Sequence, residues 1–429
     1  MDIMARGRAF VESLVAIGRR REVDRRRCRV CESSQVYKHG SYTRHPWELE
    51  GRQAVVVQRY RCQSCGATHS DEDADLPPRA WYARSVRRLA MDWWLHGGSS
   101  LRRVAEMVRS LVGHQERWHI WHPTRVREAG AAHCRLSHST LQRWLDQAGE
   151  RATRQTEGLY AEVPCTGQLG ADGLWARLRG GAKRVLLMLR ESVTGLLWPP
   201  VVARGEEAAA TWAALFSQAR DAGLAWEEIR AVVSDGSQGL LSYLRHALPW
   251  VYQQRCIFHI WRNLSGELAR QAKRAAASLA GAAAKEERAR VHGELRALVR
   301  GVLDAPDFAA AEEALAQLQA HAQGGALWEV LNARFLELFA HLMPQHRGVG
   351  RVTPEWMWRD FRLRLGRGRN AGCEERLRRT GLLFSIYRNF TPAQARQERS
   401  RHYRHPGRSA LEVAGVDLKG CSYLDVLEV

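Results

Sequence analysis

The chain has 429 residues, of which 45% are hydrophobic and 26% carry a charge. At about 100–200 residues per domain, this length predicts about two to four domains with at least one sizeable core, and the composition excludes a wholly disordered chain. No stretch approaches the roughly 18 consecutive apolar residues of a membrane helix, and residues 1–6 lack the apolar segment of a secretory signal. We therefore expect a cytoplasmic protein with no membrane partner.

The net charge of +19 is concentrated in two parts of the chain. Residues 1–150 contain 26 basic and 17 acidic side chains and residues 351–408 contain 15 and 5, whereas the rest of the chain is neutral. Two such regions indicate an extended polyanion, such as a nucleic acid, as partner. The alternative is compositional, because only five of the 65 basic residues are lysine and excess arginine is common in proteins from GC-rich genomes. Likewise, the arginine runs that end residues 1–27 indicate either a basic arm on phosphate or a solvated tail.

Two C-x-x-C pairs, Cys28 with Cys31 and Cys62 with Cys65, are separated by thirty residues that contain strand-like stretches. Four thiolates in this arrangement are typical of a tetrahedral Zn²⁺ site, and hairpins this small do not fold without the ion. We therefore predict a zinc ribbon over residues 28–76 with one structural zinc ion. The alternative, four unrelated thiols, requires the doubled spacing to be accidental.

Residues 80–150 show helical periodicity in three short segments. Three helices of this kind, the last with a polar first turn, fit a helix-turn-helix DNA-binding domain. The connection over 113–137 is much longer than the usual turn of about 3–4 residues, and it is rich in His and Trp. It is either a second metal site or a packed or DNA-facing insertion. The side chains that we expect to face DNA are Ser139, Thr140, Gln142 and Arg143.

From residue 160 the pattern changes to strands, in the order βββαβαβ over residues 160–262. This order matches the α/β fold of an RNase H-like core. Residues 263–350 are rich in helix formers and predict an all-helical insertion. Residues 351–405 return to the core with a final helix, and residues 406–429 form a C-terminal tail without a motif.

Two aspartates of this core are candidate catalytic residues. Asp172 lies in the first strand and Asp235 ends the fourth, and these strands are neighbours in an RNase H-like sheet, so their carboxylates converge. With a third carboxylate from a helix, they form a site for two Mg²⁺ about 3.5–4 Å apart, which promotes in-line attack on a phosphodiester. Glu374 is the candidate for the third acid, and Glu375 is the alternative because helix neighbours point about 100° apart. Acids beside so many arginines are otherwise surface ion pairs.

Several short stretches indicate no function singly but are specific in combination: residues 58–66, 171–173, 233–236, 254–259 and 370–379. Together they resemble the DDE transposases of bacterial insertion sequences, and among these the Mutator-like group. The resemblance implies that Asp172, Asp235 and Glu374 bind Mg²⁺, with Mn²⁺ as a substitute. It also implies that Cys256 and His259 support the active site, although a half-buried pair at a strand end is the alternative. The arginines that we expect to hold DNA beside the third acid are Arg376, Arg378 and Arg379.

The function implied by this resemblance is transposition. We expect binding of terminal inverted repeats, metal-dependent strand cleavage and strand transfer, with double-stranded DNA and a second copy of the chain as partners. We also expect association with the nucleoid. The alternatives are a domesticated, inactive DNA-binding regulator and a metal-dependent nuclease without strand joining.

Overall fold

The computed structural model describes residues 27–70, 76–77, 79–112, 134–156, 160–161, 163–204, 207–346, 350–351, 353, 355–365, 372–392, 405 and 407–427. The predicted basic arm, except its last residue, lies outside these ranges. So do residues 113–133 of the His- and Trp-rich connection, and part of the arginine-rich stretch before the third acid.

The N-terminal part of the described chain is a small β unit. Strands β1 (Val36–Arg44), β4 (Val55–Cys62) and β5 (Thr68–Ser70) form an antiparallel sheet in the order β1-β4-β5, and β2 (Trp47–Glu48) pairs with β3 (Gly51–Arg52) in a separate hairpin. Nearly every side chain of β1 is exposed. A sheet that buries so little apolar surface needs another source of stability.

Three amphipathic helices follow, namely α1 (Arg84–Gly97), α2 (Leu101–Val112) and α3 (His138–Arg154). Each buries one apolar face, and the left-handed Gly98 ends α1 and leads into α2. At the start of α3, the Ser137 side chain accepts a hydrogen bond from the Thr140 backbone N–H, which caps the helix.

A five-stranded mixed sheet lies at the centre of the chain. Its strands β6 to β10 are Gln168–Arg177, Lys183–Glu191, Val201–Ala203, Ala231–Ser234 and Tyr252–Arg255, in the order β10-β9-β6-β7-β8. Strands β6, β7 and β8 form an antiparallel meander, and β9 and β10 extend it in parallel with β6. Helices α4 (Ala209–Asp221) and α5 (Gln238–Ala247) precede and follow β9.

An all-helical segment with a hydrophobic core of its own follows β10. Its core is built mainly from leucines and valines that recur at helical spacing. The segment is joined to the sheet through Gln254 of β10, whose amide donates to the Leu338 carbonyl at 2.7 Å and accepts from the His341 backbone N–H at 2.9 Å. Its helices α6 to α10 are Ile257–Ala275, Gly281–Leu303, Phe308–Ala320, Gly325–Asn332 and Phe335–Phe339.

The C-terminal helices return to the central sheet. Helix α11 (Glu355–Arg364) precedes α12 (Glu374–Phe390), which is buried from Gly381 onward, and the short α13 (Ala410–Val413) and α14 (Tyr423–Val426) pack against it. One continuous core joins α1 to α3, the sheet and α12. The prediction of a mixed α/β protein is therefore confirmed at the level of class. Within the described ranges, no helix combines the length and the apolar character that crossing a membrane requires.

Candidate functional site

The four cysteines of the N-terminal unit meet at one point. The Sγ atoms of Cys28 and Cys65 are 3.5 Å apart, those of Cys31 and Cys62 are 3.6 Å apart, and all four lie within 4.8 Å of one another. A zinc tetrahedron with bonds of about 2.3 Å has sulfur–sulfur edges of about 3.8 Å, so the cluster fits this ion. Within the part of the chain that the structure describes, this is the one group of three or more potential ligands so close together.

The electrostatics of the cluster also favour a cation. The backbone N–H of Cys31 lowers the pKa of the Cys28 thiol, and that of Cys65 lowers the pKa of Cys62 to about 6. At Cys31 the N–H of Ser33 lowers the pKa, but hydrogen bonds with the other sulfurs, together with burial, raise it to about 12. Two thiolates thus form readily, whereas further ionisation requires a positive charge to offset their repulsion.

Asp172 lies in β6, and Asp235 directly follows β9, the parallel neighbour of β6. Gly170 pairs with Val233, so each aspartate comes two residues after a member of this pair. Asp172 is only 4% exposed, and its Oδ1 accepts from the Gly173 N–H at 2.9 Å. Asp235 is half-buried. Carboxylate oxygens are the ligands that divalent cations such as Mg²⁺ take, so these two side chains have the chemistry of such ligands.

The turn after Asp235 is held by a buried arginine. Gly236 has φ +80°, and a Cβ added there would lie 0.9 Å from Nη1 of Arg255, which therefore packs directly on the glycine. The guanidinium is 3.9 Å from the Glu337 carboxylate of the helical segment. Burial lowers the pKa of Arg255, while Glu337 and Asp235 raise it, so this cation faces both acids.

The C-x-x-H pair lies against the same part of the sheet. Cys256, at the start of α6, is fully buried, and its Sγ is 3.5 Å from Oγ1 of Thr353 and accepts from the Thr353 N–H at 3.3 Å. Burial raises the pKa of Cys256, and the negative charge of Asp172 raises it further. His259 is 5% exposed. Both side chains are thus within the packed wall behind the two aspartates.

Glu374 lies away from the aspartates. Its carboxylate accepts from Nε of Arg184 at 2.8 Å and from Nε of Arg204 at 3.3 Å. Arg184 is four residues along β7 from Met188, the partner of Asp172, which corresponds to about 13 Å of strand. The hydrogen bond from Arg184 lowers the pKa of Glu374, which is therefore held ionised. The structure thus sets Asp172 and Asp235 on or next to neighbouring strands and places Glu374 farther along the face to which Arg184 belongs.

The other predicted DNA-binding side chains mostly contact acids of the chain itself. Glu375 accepts from Arg378 and Arg379, and the bond from Arg378 lowers its pKa. Arg376 is 3.5 Å from Asp146, which also accepts from Gln142. On α3, Arg143 donates to Thr140, and Ser139 is exposed.

Glu207 is an acid near the aspartates that no motif in the sequence marks. A Cβ on Gly173 would lie 2.8 Å from its Oε1, so the carboxylate lies over the residue next to Asp172. Burial and the charge of Asp235 raise the pKa of Glu207, whereas hydrogen bonds with Ser237 and Trp175 lower it. In the sequence, Glu207 is marked only as the second of two adjacent glutamates. Gly173 has no side chain and so leaves room for the Glu207 carboxylate. This role of Gly173 is apparent only from the pairing of β6.

The central part of the chain is similar to known transposases. Residues 200–323 match the family described as "Transposase, Mutator family", and this stretch contains Asp235, Cys256 and His259. The transposase for insertion sequence element IS905 of Lactococcus lactis subsp. lactis is 36% identical over 61 residues, which are 14% of this chain and 15% of that protein. The aligned part is thus well under two thirds of this relative's length. These matches confirm the resemblance of the chain to insertion-sequence transposases of the Mutator-like group.

Proposed function

We propose that this protein is a transposase that binds the terminal inverted repeats of a mobile element and catalyses metal-dependent cleavage and strand transfer of DNA. The observation that carries the proposal is the parallel pairing of β6 with β9, in which Asp172 and Asp235 each come two residues after the paired Gly170 and Val233. The sheet order, with a three-stranded meander extended by two parallel strands, supports an RNase H-like core. The family match supports the same activity, because it includes the second aspartate.

In this proposal, Asp172 and Asp235 hold divalent ions, of which Mg²⁺ is the expected one and Mn²⁺ a substitute. Carboxylate oxygens are the ligands that such hard cations prefer. When bound, the ions activate the attacking hydroxyl and stabilise the leaving oxygen. Arg255, which packs on Gly236, keeps the turn after Asp235 in place, and the buried Cys256 and His259 exclude water from behind the aspartates.

The proposed division of labour follows the domains expected from the sequence. The zinc ribbon over 28–76, with one Zn²⁺ on Cys28, Cys31, Cys62 and Cys65, and a helix-turn-helix domain over 80–150 bind double-stranded DNA. The core, over 160–262 and 351–405 with the helical insertion 263–350, cuts and joins it. Two transposon ends are processed together, so we expect a homodimer or a higher assembly, located with the DNA in the nucleoid.

Glu374 is the proposed third acid, with Glu375 as the alternative. Glu374 is on α12, whose Gly381 packs against Leu186, and Leu186 shares a face of the sheet with Asp172. To reach the aspartates, Glu374 must leave Arg184 and Arg204, and α12 must slide along the sheet. We expect DNA phosphates to compete for these two arginines and so to release the glutamate.

A second candidate function is a domesticated DNA-binding regulator without catalytic activity. The specific observation in its favour is that Arg184 and Arg204 engage Glu374 far from Asp172 and Asp235. In a regulator this arrangement is permanent, and the DNA-binding parts act alone.

The experiment that tests the proposal is the substitution Asp235→Asn in the full chain. We expect it to abolish Mg²⁺-dependent cleavage of a transposon-end duplex and to leave binding of that duplex unchanged, because the amide keeps the shape of the side chain but not its charge. Asp221→Asn, at the exposed end of α4, is the matched control and should retain cleavage. Equal loss of binding and cleavage in Asp235→Asn would contradict the assigned role. A wild-type chain that binds ends but never cuts them would favour the regulator.

A further inference from the structure

A cavity of about 410 Å³ opens between the three helices α1 to α3 and the helices α11 and α12. We infer that it binds the sugar–phosphate backbone of a DNA strand. The inference rests on the proposed function for the identity of the polyanion, and it assigns a place on the protein where that polyanion is held. The residues on which it depends are Arg102, Arg179, Arg376 and Gln142, which line the cavity.

The cavity lies in a seam that two glycines bring together. A Cβ on Gly98, between α1 and α2, would lie 2.8 Å from Cβ of Leu363 on α11. A Cβ on Gly149 of α3 would lie 2.7 Å from Cβ of Arg379 on α12. Because backbone and side chain touch at both points, the helices cannot approach further. The cavity thus lies in an interface that is closely packed at these two points.

The charge on the cavity wall has one sign. Of the residues that the structure describes, four arginines line the cavity and no aspartate or glutamate does. Arg102 and Arg179 are exposed, and no carboxylate within the described ranges pairs with either of them. Arg376 reaches Asp146 only at 3.5 Å, and its buried Nε has no hydrogen-bond partner among the described residues. Donors of this kind are available to an anion.

The fourth arginine, Arg364, has a different role. Arg364 donates to the backbone carbonyls of Asp360 and Leu95, and its guanidinium stacks on Phe384 at 5.3 Å. It is thus fixed in the wall and adds positive potential, whereas the other three can turn toward a ligand. Planar guanidinium groups bind the oxygens of phosphates and carboxylates through paired N–H donors, so this wall suits an oxyanion.

The position of the cavity favours a nucleic acid strand over a small phosphate. Gln142 lines it from α3, one turn after the exposed Ser139 and next to Arg143, which also faces solvent. Trp94, Leu101 and Leu145 supply apolar wall that can contact deoxyribose. A strand that follows the first turn of α3 would therefore pass Gln142 and continue into the cavity.

The test compares two double variants of the full chain, Arg102→Ala with Arg179→Ala, and Arg296→Ala with Arg300→Ala. The second pair is exposed on α7 and lowers the net charge equally, but lies in the separate helical segment. Binding of a fluorescently labelled duplex is measured by anisotropy over a range of salt concentrations. Since each phosphate contact contributes about 0.9 to the slope of log K against log salt, we expect the cavity pair to lower the slope by about 2. We expect its Kd to rise about tenfold or more, and the control to change far less.

Equal slopes and affinities for the two pairs would overturn the inference while leaving the proposed function intact. Absence of DNA binding by the wild-type chain at low salt would instead contradict the proposed function. Inorganic phosphate is the second probe. Its binding is measured as a shift in the melting temperature of the protein in the absence of DNA. The informative result would be that sub-millimolar phosphate stabilises the wild-type chain but not the variant with Arg102→Ala and Arg179→Ala, while this variant binds DNA normally. That result would show a site for a small anion and overturn the assignment to DNA. Melting temperatures within a few degrees of wild type exclude misfolding as the cause of any loss.

Discussion

Glu207 and Glu374 lie on opposite faces of the central sheet. Gly173 points toward Glu207, and because successive residues of a strand alternate, Asp172 points to the other face. That other face carries Leu186 and, packed on it, Gly381 of α12, whose first residue is Glu374. The face therefore favours Glu374 as the third acid, although Glu207 interacts with Asp235 in the present arrangement. Glu207 is near one aspartate, whereas a third metal-binding acid must be able to reach both.

Replacing Glu207 with Gln should make the stability of the protein less dependent on pH. Burial and the charge of Asp235 raise the pKa of Glu207, so the folded state favours the neutral acid. The contribution of Glu207 to stability is fully present at pH values below the ordinary pKa of a glutamate. It is lost as the pH rises through the pKa of Glu207 in the folded protein. We therefore expect Glu207→Gln to melt above wild type at pH 7–8, with a difference that shrinks toward pH 4.

The measurement is thermal unfolding across this pH range, with the exposed Glu227→Gln as control. A variant that melts below wild type at pH 8 would show instead that the Glu207 carboxylate is stabilising when ionised.

At the scale of elements, periodicity in the sequence was a good guide. The order βββαβαβ predicted over 160–262 is observed as β6 to β10 with α4 and α5, and the final helix that contains the third acid begins at Glu374. Such agreement follows because helix starts and apolar spacing are local properties. The sequence does not show how far along β7 Glu374 lies, because this position depends on how α12 packs on the sheet. The burial of Glu207 likewise depends on the pairing of β6, which no local pattern encodes.

The N-terminal β unit should lose its metal and its structure when its cysteines are removed. Its strands bury few side chains, whereas binding of a structural zinc ion contributes about 10–16 kcal/mol to the folding of comparable small units. We expect the double substitution of Cys62→Ser and Cys65→Ser to reduce zinc from one ion per chain to none. We also expect residues 27–70 to become sensitive to protease.

Zinc is quantified by atomic emission after gel filtration, and Cys421→Ser, which lies outside the cluster, is the control. Retention of one zinc ion by the double variant would contradict the assignment of these ligands.

At the scale of the whole molecule, the two basic regions of the sequence meet. Residues 80–150 and 351–408 are far apart in the chain, but α3 packs on α12 through Gly149, and the turn at Gly98 packs on α11. Described parts of the two basic regions thus contact each other. Several of their arginines pair with acids of the chain, so fewer of the 65 basic side chains are available to an anion than the composition suggests.

The C-terminal tail joins these parts further. The sequence offered no functional motif after residue 406, yet two capping boxes, Ser409 with Glu412 and Ser422 with Asp425, begin short helices there. Caps of this kind are visible in the sequence, but their burial is not. In the structure Leu427 is fully buried, and the tail contacts both α1 and α12.

Tyr423 should be the most important residue of this tail for stability. It is 5% exposed, packs edge-on against Tyr387 of α12 at 5.3 Å, and donates a hydrogen bond to Asp92 of α1. We expect Tyr423→Phe to lower the free energy of unfolding by about 1–3 kcal/mol, because it removes one hydrogen bond to a charged group. Tyr423→Ala should lower it by about 3–5 kcal/mol, because it also leaves a cavity. Urea denaturation of the full chain measures both values, and exposed Tyr37→Phe is the control. If both Tyr423 variants unfold at the wild-type urea concentration, the tail does not hold α1 and α12 together, and the basic surface must be maintained by the glycine contacts alone.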